Sequence, residues 1–492
     1  MSSSKKMRRP ITKEQSVMGM RTTSSSYRAA SKAISAAISV AHGDAGAKPP
    51  RAVSEAKGEA RSAAHGETLS EVKGRAISLF SGAGGDTLGM EHAGYQVITF
   101  SELNPHAIQT HRTAFPHSLH LTEEKTGSPN IKDLPDALWR TYRGTVQVVF
   151  AGFPCQGFSQ AGKKRQEDPR NELVYEFARV VDQVRPEWFI GENVTGLLRS
   201  KGRDPITGEQ KPVIDIIRDI FERIGYHMTY RIWKATDHGV PQERKRLILI
   251  GAPKEKGYPI LPSTPSALTA SPVPALRPFL EPHLHGAVRF PKEHLPADLS
   301  PHFWIPTTDT EPTGTPHPNL LRLVQGIRGL TRQEKERNQE KERNQEKERN
   351  QDQKDQKTTT QPGGLISFGV RKSAYHGQIL DPDQPSKTII CTYHSCPRLF
   401  VGLHHKESDT YWVRCLTVTE LGQIQGFPKD YPWQGKEKDK ITQIGNAVPP
   451  PLAAAILRTL PHIRFSESPQ EQEQEKEEQD EKEQEDQEEP SI

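Results

Sequence analysis

From Arg75 onward, short apolar runs alternate with longer stretches in which apolar residues recur every three or four positions. The runs 76–80, 97–101, 146–152, 188–191, 230–235 and 246–251 predict strands. Residues 173–183, which follow Asn171, predict a helix, as do 213–224, where Val213, Ile216, Ile217, Ile220, Phe221 and Ile224 keep helical spacing. Strands alternating with helices imply an α/β fold with a parallel sheet covered on both faces. Regularity is lost after Pro253: residues 254–320 are crowded with Pro, His and Leu, which predicts a loop-rich module held by turns. Structure resumes at Leu365, with β-rich runs at 387–393 and 399–403 and a last helix-like segment at 451–460.

Three segments break this pattern. Residues 1–73, rich in Ser, Ala, Lys and Arg, have few large apolar side chains and predict a disordered basic tail with one weakly amphipathic stretch at 27–41. Its acid-poor start faintly resembles an organelle transit peptide. Within an insert at 331–362, Gln333-Glu334-Lys335-Glu336-Arg337-Asn338 recurs twice more, a period that offers no apolar face to bury. Residues 466–492, rich in Glu and Gln, predict a disordered acidic tail.

Charge sharpens the division. The chain of 492 residues carries a net +4, but residues 1–73 hold 13 Lys/Arg against 6 Asp/Glu and residues 466–492 hold 2 against 13, leaving +8 on 74–465. A basic folded part suits a polyanionic partner, and the acidic tail is expected to compete with that partner for it. A hydrophobic content of 33% fits a chain with unfolded segments. The four cysteines, Cys155, Cys391, Cys396 and Cys415, lack metal-ligand spacing and are too few for a disulfide framework, which implies a reducing compartment. No run of about 18 apolar residues predicts a membrane span.

Candidate chemistry gathers at predicted strand ends. Cys155, in Gly152-Phe153-Pro154-Cys155-Gln156-Gly157, follows the strand-like run 146–152, so the thiol is expected where ligands meet the carboxyl edge of a parallel sheet. A lone Cys is more often a buried packing residue. In Phe80-Ser81-Gly82-Ala83-Gly84-Gly85-Asp86-Thr87-Leu88, glycines fill the turn between the first strand and helix, where a ligand meets bare backbone. Asp86 and Thr87 stand where a phosphate loop needs Lys and Ser or Thr, so a triphosphate is disfavoured. Asp86 is expected instead to accept the amine of S-adenosylmethionine, and Glu102, about 20 residues on, to hold ribose hydroxyls. Glu192, in Glu192-Asn193-Val194, is a carboxylate at another strand end facing the same crevice. In the extended segment 239–246, alternation points Gln242, Arg244 and Arg246 to one side, as anion grips or as a salt-bridged surface strand.

Taken together the blocks resemble the DNA cytosine-5 methyltransferase family. They run in its order: Phe80 to Gly84, Glu102, Asp133, Pro154-Cys155-Gln156, Glu192-Asn193-Val194 and Gln242-x-Arg244-x-Arg246, then Arg414 to Glu420, Gln425-Gly426-Phe427-Pro428 and Gln443 to Pro450. The likeness covers 75–253 and 411–460. It implies a class I, Rossmann-like S-adenosylmethionine-dependent methyltransferase domain at 74–253, a smaller loop- and β-rich target-recognition domain at 254–436, and a segment at 437–465 that returns to the catalytic domain.

The resemblance also implies roles. Cys155, carried by Pro154, adds to cytosine C6. Glu192 neutralises charge pushed into the ring, and Arg244, near O2 and the thiolate, stabilises the anion, with Arg246 beside it. Cofactor residues are Phe80, Gly82, Gly84, Asp86, Leu88, Glu102, Asp133, Asn446 and Val448. The alternative for Asp133, whose block lacks a preceding Gly, is a helix cap. Base flipping falls to the loop 156–170, with Gln156, Ser159, Lys163, Lys164 and Arg165, while Gln242 and Thr388 approach DNA and Arg371, Lys372 and His376 are further candidates. The implied partner is double-stranded DNA, met by a monomer in the cytoplasm at the nucleoid, with no membrane or metal. A cognate restriction endonuclease would be a genetic rather than a physical partner. A tRNA cytosine-5 methyltransferase and a silent DNA-binding module are the alternatives; Phe153 and the long recognition region favour DNA over tRNA.

Overall fold

The computed structural model describes residues 72–154, 173–204, 207–262, 274–292, 295, 301–324, 366–369 and 376–468. Residues 1–71 of the basic tail, the loop that begins at Cys155, the six-residue repeat, Arg371, Lys372 and residues 469–492 of the acidic tail lie outside the described residues.

A seven-stranded sheet forms the centre. Its strands are β1 (Gly74–Leu79), β2 (Tyr95–Ser101), β3 (Leu119–His120), β4 (Val148–Ala151), β5 (Trp188–Asn193), β6 (Tyr226–Lys234) and β7 (Lys245–Pro253), in the order β3-β2-β1-β4-β5-β7-β6. β1 pairs in parallel with both β2 and β4, and β4 with β5. The order reverses between β1 and β4, the switch point where α/β sheets open a ligand crevice. One strand departs from the parallel sheet expected from the sequence: β7 runs antiparallel to β5 and β6. The segment between β6 and β7 is too short for a helical crossover, so the chain can only fold back. This reversal brings the beginning of β7, with Arg246, to the edge where β1, β4 and β5 end.

Period-two alternation sends each strand into two cores. Ile77, Val149, Ala151, Phe189, Leu247 and Leu249 pack with Phe177 and Val181 of α3 (Leu173–Val184) and Ile217 and Phe221 of α4 (Val213–Arg223). Ala76, Val148, Phe150, Ile190, Ile248 and Ile250 face the other way. There they meet Met90 of α1 (Gly85–His92) and Leu452, Ala453 and Ile456 of the distant C-terminal helix, α7 (Pro450–Thr459). Between α1 and α3 lies α2 (Pro105–Ala114), whose N-cap Asn104 accepts from the N–H groups of His106 and Ala107.

The second part is built on a six-stranded sheet containing Val288–Phe290, Thr410–Cys415, Leu399–His405, His376–Ile379 and Ile366–Gly369, with Ile305–Pro306 beside Leu399–His405. A fully buried ion pair ties it down. Arg414 donates to both carboxylate oxygens of Glu420, at 2.6 and 2.8 Å, while Glu420 closes a capping box with Thr417 at the start of α5 (Val418–Ile424). The run 387–393 is not the strand expected: Ser386–Lys387 makes a two-residue parallel bridge to Gln242–Glu243, and turns follow.

Packing also shifts two expected boundaries. Tyr258–Ile260 pairs with Arg464–Ser466, so the chain leaves the catalytic part after 253. Phe427 and Tyr431 pack with Ala83 of the glycine-rich turn, so the return begins before 437 and α6 (Glu437–Asn446). Among the described residues no helix is long and apolar enough to cross a membrane.

Candidate active site

Because β1, β2, β4 and β5 run parallel, their last residues share one edge, and the following side chains converge there. After β1, Phe80 adopts φ 55°, a left-handed conformation unusual for a bulky side chain, and Gly82 and Gly84 follow at φ 54° and 90°. This turn is braced from two sides. The main-chain N–H of Gly82 donates to Glu102 Oε2 at 2.9 Å, and the other carboxylate oxygen accepts from the N–H groups of Leu103 and Asn104 at 2.9 and 2.7 Å. On the far side the Tyr431 hydroxyl donates to the Ala83 carbonyl. A Cβ at Gly85 would sit 2.2 Å from the Val448 carbonyl, so only glycine lets the segment after α6 close against the turn.

Asp86 differs from the expectation. It is 3% exposed, accepts from the Ser78 hydroxyl, and is pushed by burial to a pKa of about 7. One oxygen of this enclosed carboxyl is held by Ser78, and the other is buried without a hydrogen-bond partner among the described residues. Leu88 packs with Ala83, Phe115 and Phe427. Asp133 is exposed and accepts from Ser128 at 2.6 Å; the cap of its short helix is Asn130.

β4 leads through Gly152 and the buried Phe153 to Pro154, where description stops. Cys155, Gln156, Ser159, Lys163, Lys164 and Arg165 therefore lie outside the described residues. The approach to the thiol is nonetheless fixed. Asn193 donates its amide N–H to the Phe153 carbonyl at 3.1 Å, and the Phe153 ring stacks on Phe177. A Cβ built on Gly152 would lie 3.8 Å from the Phe80 carbonyl, 3.9 Å from Val448 Cγ2 and 4.0 Å from Glu192 Oε2. Four motifs far apart in sequence thus meet at one point. Val448 borders it, while Asn446 at the end of α6 is exposed.

The two guanidiniums divide differently from the expectation. Arg246 Nε pairs with Glu192 Oε1 at 2.7 Å, both groups nearly enclosed. Arg244, expected beside the base, is only 2% exposed and donates to the carbonyls of Ile389, Gly445 and Ala447 at 3.1, 3.0 and 3.0 Å. Burial and the neighbouring Arg246 both disfavour its charged form. Gln242, expected on DNA, is 0% exposed; its amide donates to Gln425 Oε1 at 2.5 Å and accepts from the Ile389 N–H at 2.9 Å. The expected alternation holds, since Glu243 and Lys245 between them are exposed, but the shared side faces a protein junction. Thr388 donates its hydroxyl to the Glu243 carbonyl at 2.7 Å.

The sequence reading gave no role to Asn193, Gln425 or Tyr431. For Asn193 and Gln425 the signal was membership of the blocks Glu192-Asn193-Val194 and Gln425-Gly426-Phe427-Pro428, whose spacing carried no indication of what each side chain touches; Tyr431, three residues beyond the second block, had no such signal.

Comparison with known proteins identifies the family. The family model described as C-5 cytosine-specific DNA methylase matches residues 74–462. The type II methyltransferase M1.HphI of Haemophilus parahaemolyticus is 31% identical over 387 residues, 77% of this chain and 84% of that one. The type II methyltransferase M.Eco47II of Escherichia coli is 29% identical over 392 residues, 79% of this chain and 78% of that one. Among solved structures, the Entamoeba histolytica methyltransferase EhMeth aligns with a TM-score of 0.46 at 14% identity, over 79% of this chain and 97% of that chain.

Proposed function

The chain belongs to the C-5 cytosine-specific DNA methylases, and from that membership we propose that it methylates C5 of a cytosine turned out of a short duplex DNA sequence, with S-adenosylmethionine as cofactor. The observation that carries this reading is the meeting of Phe80, Glu192, Val448 and the approach to Cys155 around Gly152.

The residues fit such a cofactor. Nothing lies within 4 Å of a Cβ built on Gly82, so the turn borders open space beside Glu102. Phe80 would stack on the adenine, Glu102 would hold the ribose, and Gly82, Gly84 and Val448 would line the methionine end. When bound, the cofactor supplies an electrophilic methyl group on a sulfonium.

C5 of cytosine is a poor nucleophile until C6 is substituted. The Cys155 thiolate adds to C6, sulfur being a strong nucleophile once ionised. Electron density moves into the ring toward N3, where a proton shared between the Glu192 carboxyl and N3 would neutralise it. Arg246 holds one oxygen of that carboxylate and leaves the other toward Gly152. The resulting enamine is nucleophilic at C5 and would take the methyl group as its bond to the sulfonium breaks, with a neutral thioether as the leaving group. Loss of the C5 proton and expulsion of Cys155 then restore the aromatic ring. Because the reacting atoms lie within the stack of a duplex, the base is extruded first, at a cost of a few kcal/mol. The loop 156–170, with its three consecutive basic residues, is the part assigned to that step.

The relatives are named type II methyltransferases, and we assign this chain the same modification role, as a monomer whose restriction partner is genetic. Transfer of radiolabelled methyl groups to unmethylated duplex DNA and to tRNA, with Cys155→Ala as control, tests the reading. Labelling of DNA that Cys155→Ala abolishes is expected; undiminished labelling by Cys155→Ala, or labelling of tRNA alone, overturns it.

A further inference from the structure

The buried Arg244 has no direct place in the chemistry above, yet its surroundings are unusual. Its guanidinium is enclosed without an ion pair to a carboxylate among the described residues, since Glu192 is taken by Arg246. It fills a junction between three segments remote in sequence: the start of β7, the recognition segment at Ile389, and the end of α6 at Gly445 and Ala447. A buried charge is expensive, and fixing position is one attested reason to keep it. Here three N–H bonds from the two terminal nitrogens of one rigid plane hold three carbonyls in one geometry, which the flexible ammonium of a lysine cannot reproduce, while the buried Nε–H has no partner among the described residues.

Two of the three tied carbonyls lie one residue from a proposed ligand surface. Ile389 is held at both ends, its N–H by Gln242 and its carbonyl by Arg244. The next residue, Ile390, is 49% exposed, an apolar side chain presented outward from a fixed backbone, with Thr388 on the other flank. The Ala447 carbonyl accepts from Arg244 and, at 2.7 Å, from Gln425; the next residue is Val448, which borders Gly85 and Gly152. The two surfaces also touch directly: a Cβ on Gly445 would lie 2.3 Å from the Cys391 main-chain nitrogen and 2.5 Å from the Ile390 carbonyl carbon. The recognition turn and the end of α6 therefore move together or not at all.

We propose that Arg244 is a positioning residue that couples the two ligand surfaces, so that DNA engaging the segment around Thr388 and Ile390 fixes the cofactor wall at Ala447 and Val448, and cofactor fixes the recognition segment in turn. This rests on the methyltransferase reading above. Coupling between binding sites is reciprocal, and typical magnitudes are about fivefold or more in affinity.

The test is the affinity of the full-length protein for S-adenosylhomocysteine, measured with and without a mixture of long, PCR-amplified, unmethylated duplexes that contains every short sequence. In the parent protein DNA is expected to tighten cofactor binding about fivefold or more. In Arg244→Lys the ratio falls toward one. In Gln425→Met, which removes the second donor to the Ala447 carbonyl and the acceptor of the Gln242 amide while leaving Arg244 in place, it is intermediate, and this variant decides the matter if Arg244→Lys does not fold. A ratio of one in the parent, or a ratio unchanged in the folded variants, overturns the proposal. Failure of the methyltransferase reading looks different: no methyl transfer and no DNA binding by any form of the protein, which ends both.

Discussion

At the residue scale, ionisation at the site is governed by enclosure. Arg246 and Glu192 are paired at 2.7 Å and nearly enclosed, so removing either partner leaves the other poorly satisfied. Glu192→Gln and Arg246→Met are expected to lower the single-turnover rate of methyl transfer by about 10²-fold or more. S-adenosylhomocysteine affinity should change little. A loss confined to affinity would contradict the assignment. Asp86 behaves differently, because burial holds its pKa near 7 against 3.8 unfolded. Folding therefore takes up a proton between about pH 4 and pH 7. Its cost to stability, at most about 4 kcal/mol, is full above pH 7 and disappears as pH falls through 7 toward 4. Asp86→Asn keeps an acceptor for Ser78 and removes the titration. Urea unfolding between pH 5 and 8 should show a flatter pH dependence in this variant than in the parent; equal slopes would count against it.

At the element scale, the contact between α1 and α7 joins the first helix of the fold to the last. It depends on glycine: a Cβ on Gly89 would lie 2.4 Å from Ala453 Cβ and 2.6 Å from the Pro450 carbonyl. Gly89→Ala trades the higher helix propensity of alanine, about 1 kcal/mol, against a clash with backbone that cannot yield. Overpacking of this kind costs about 1–3 kcal/mol. The expected net result is a lower thermal midpoint and weaker S-adenosylhomocysteine binding, since α7 follows directly on Val448; calorimetry and titration measure both. The strands and the two long helices were legible from pattern, because a strand buried on both faces and a one-sided helix leave periods of their own. The antiparallel direction of β7 was not, since direction leaves no mark on alternation. Nor was β3, two residues long and held at the sheet edge by β2.

At the scale of the whole molecule, charge is divided between residues 74–465 and the two ends of the chain. Removing residues 469–492 is expected to raise affinity for duplex DNA at low salt, with the difference shrinking as salt rises, because counterion release and tail competition are both electrostatic. Filter binding across a salt series measures it, and identical curves would remove the tail from DNA binding. The sequence by itself determined the strand–helix alternation, the glycine turn, the strand-end carboxylates and the ordered blocks that mark the family, since local period and residue type carry that information. Which of two arginines spaced two apart meets Glu192, and which is sealed in a junction with Ile389, Gly445 and Ala447, was decided only in three dimensions. Alternation gives both the same side; what lies on that side comes from segments about 145 to 203 residues away, and their approach is set by packing that no local pattern encodes.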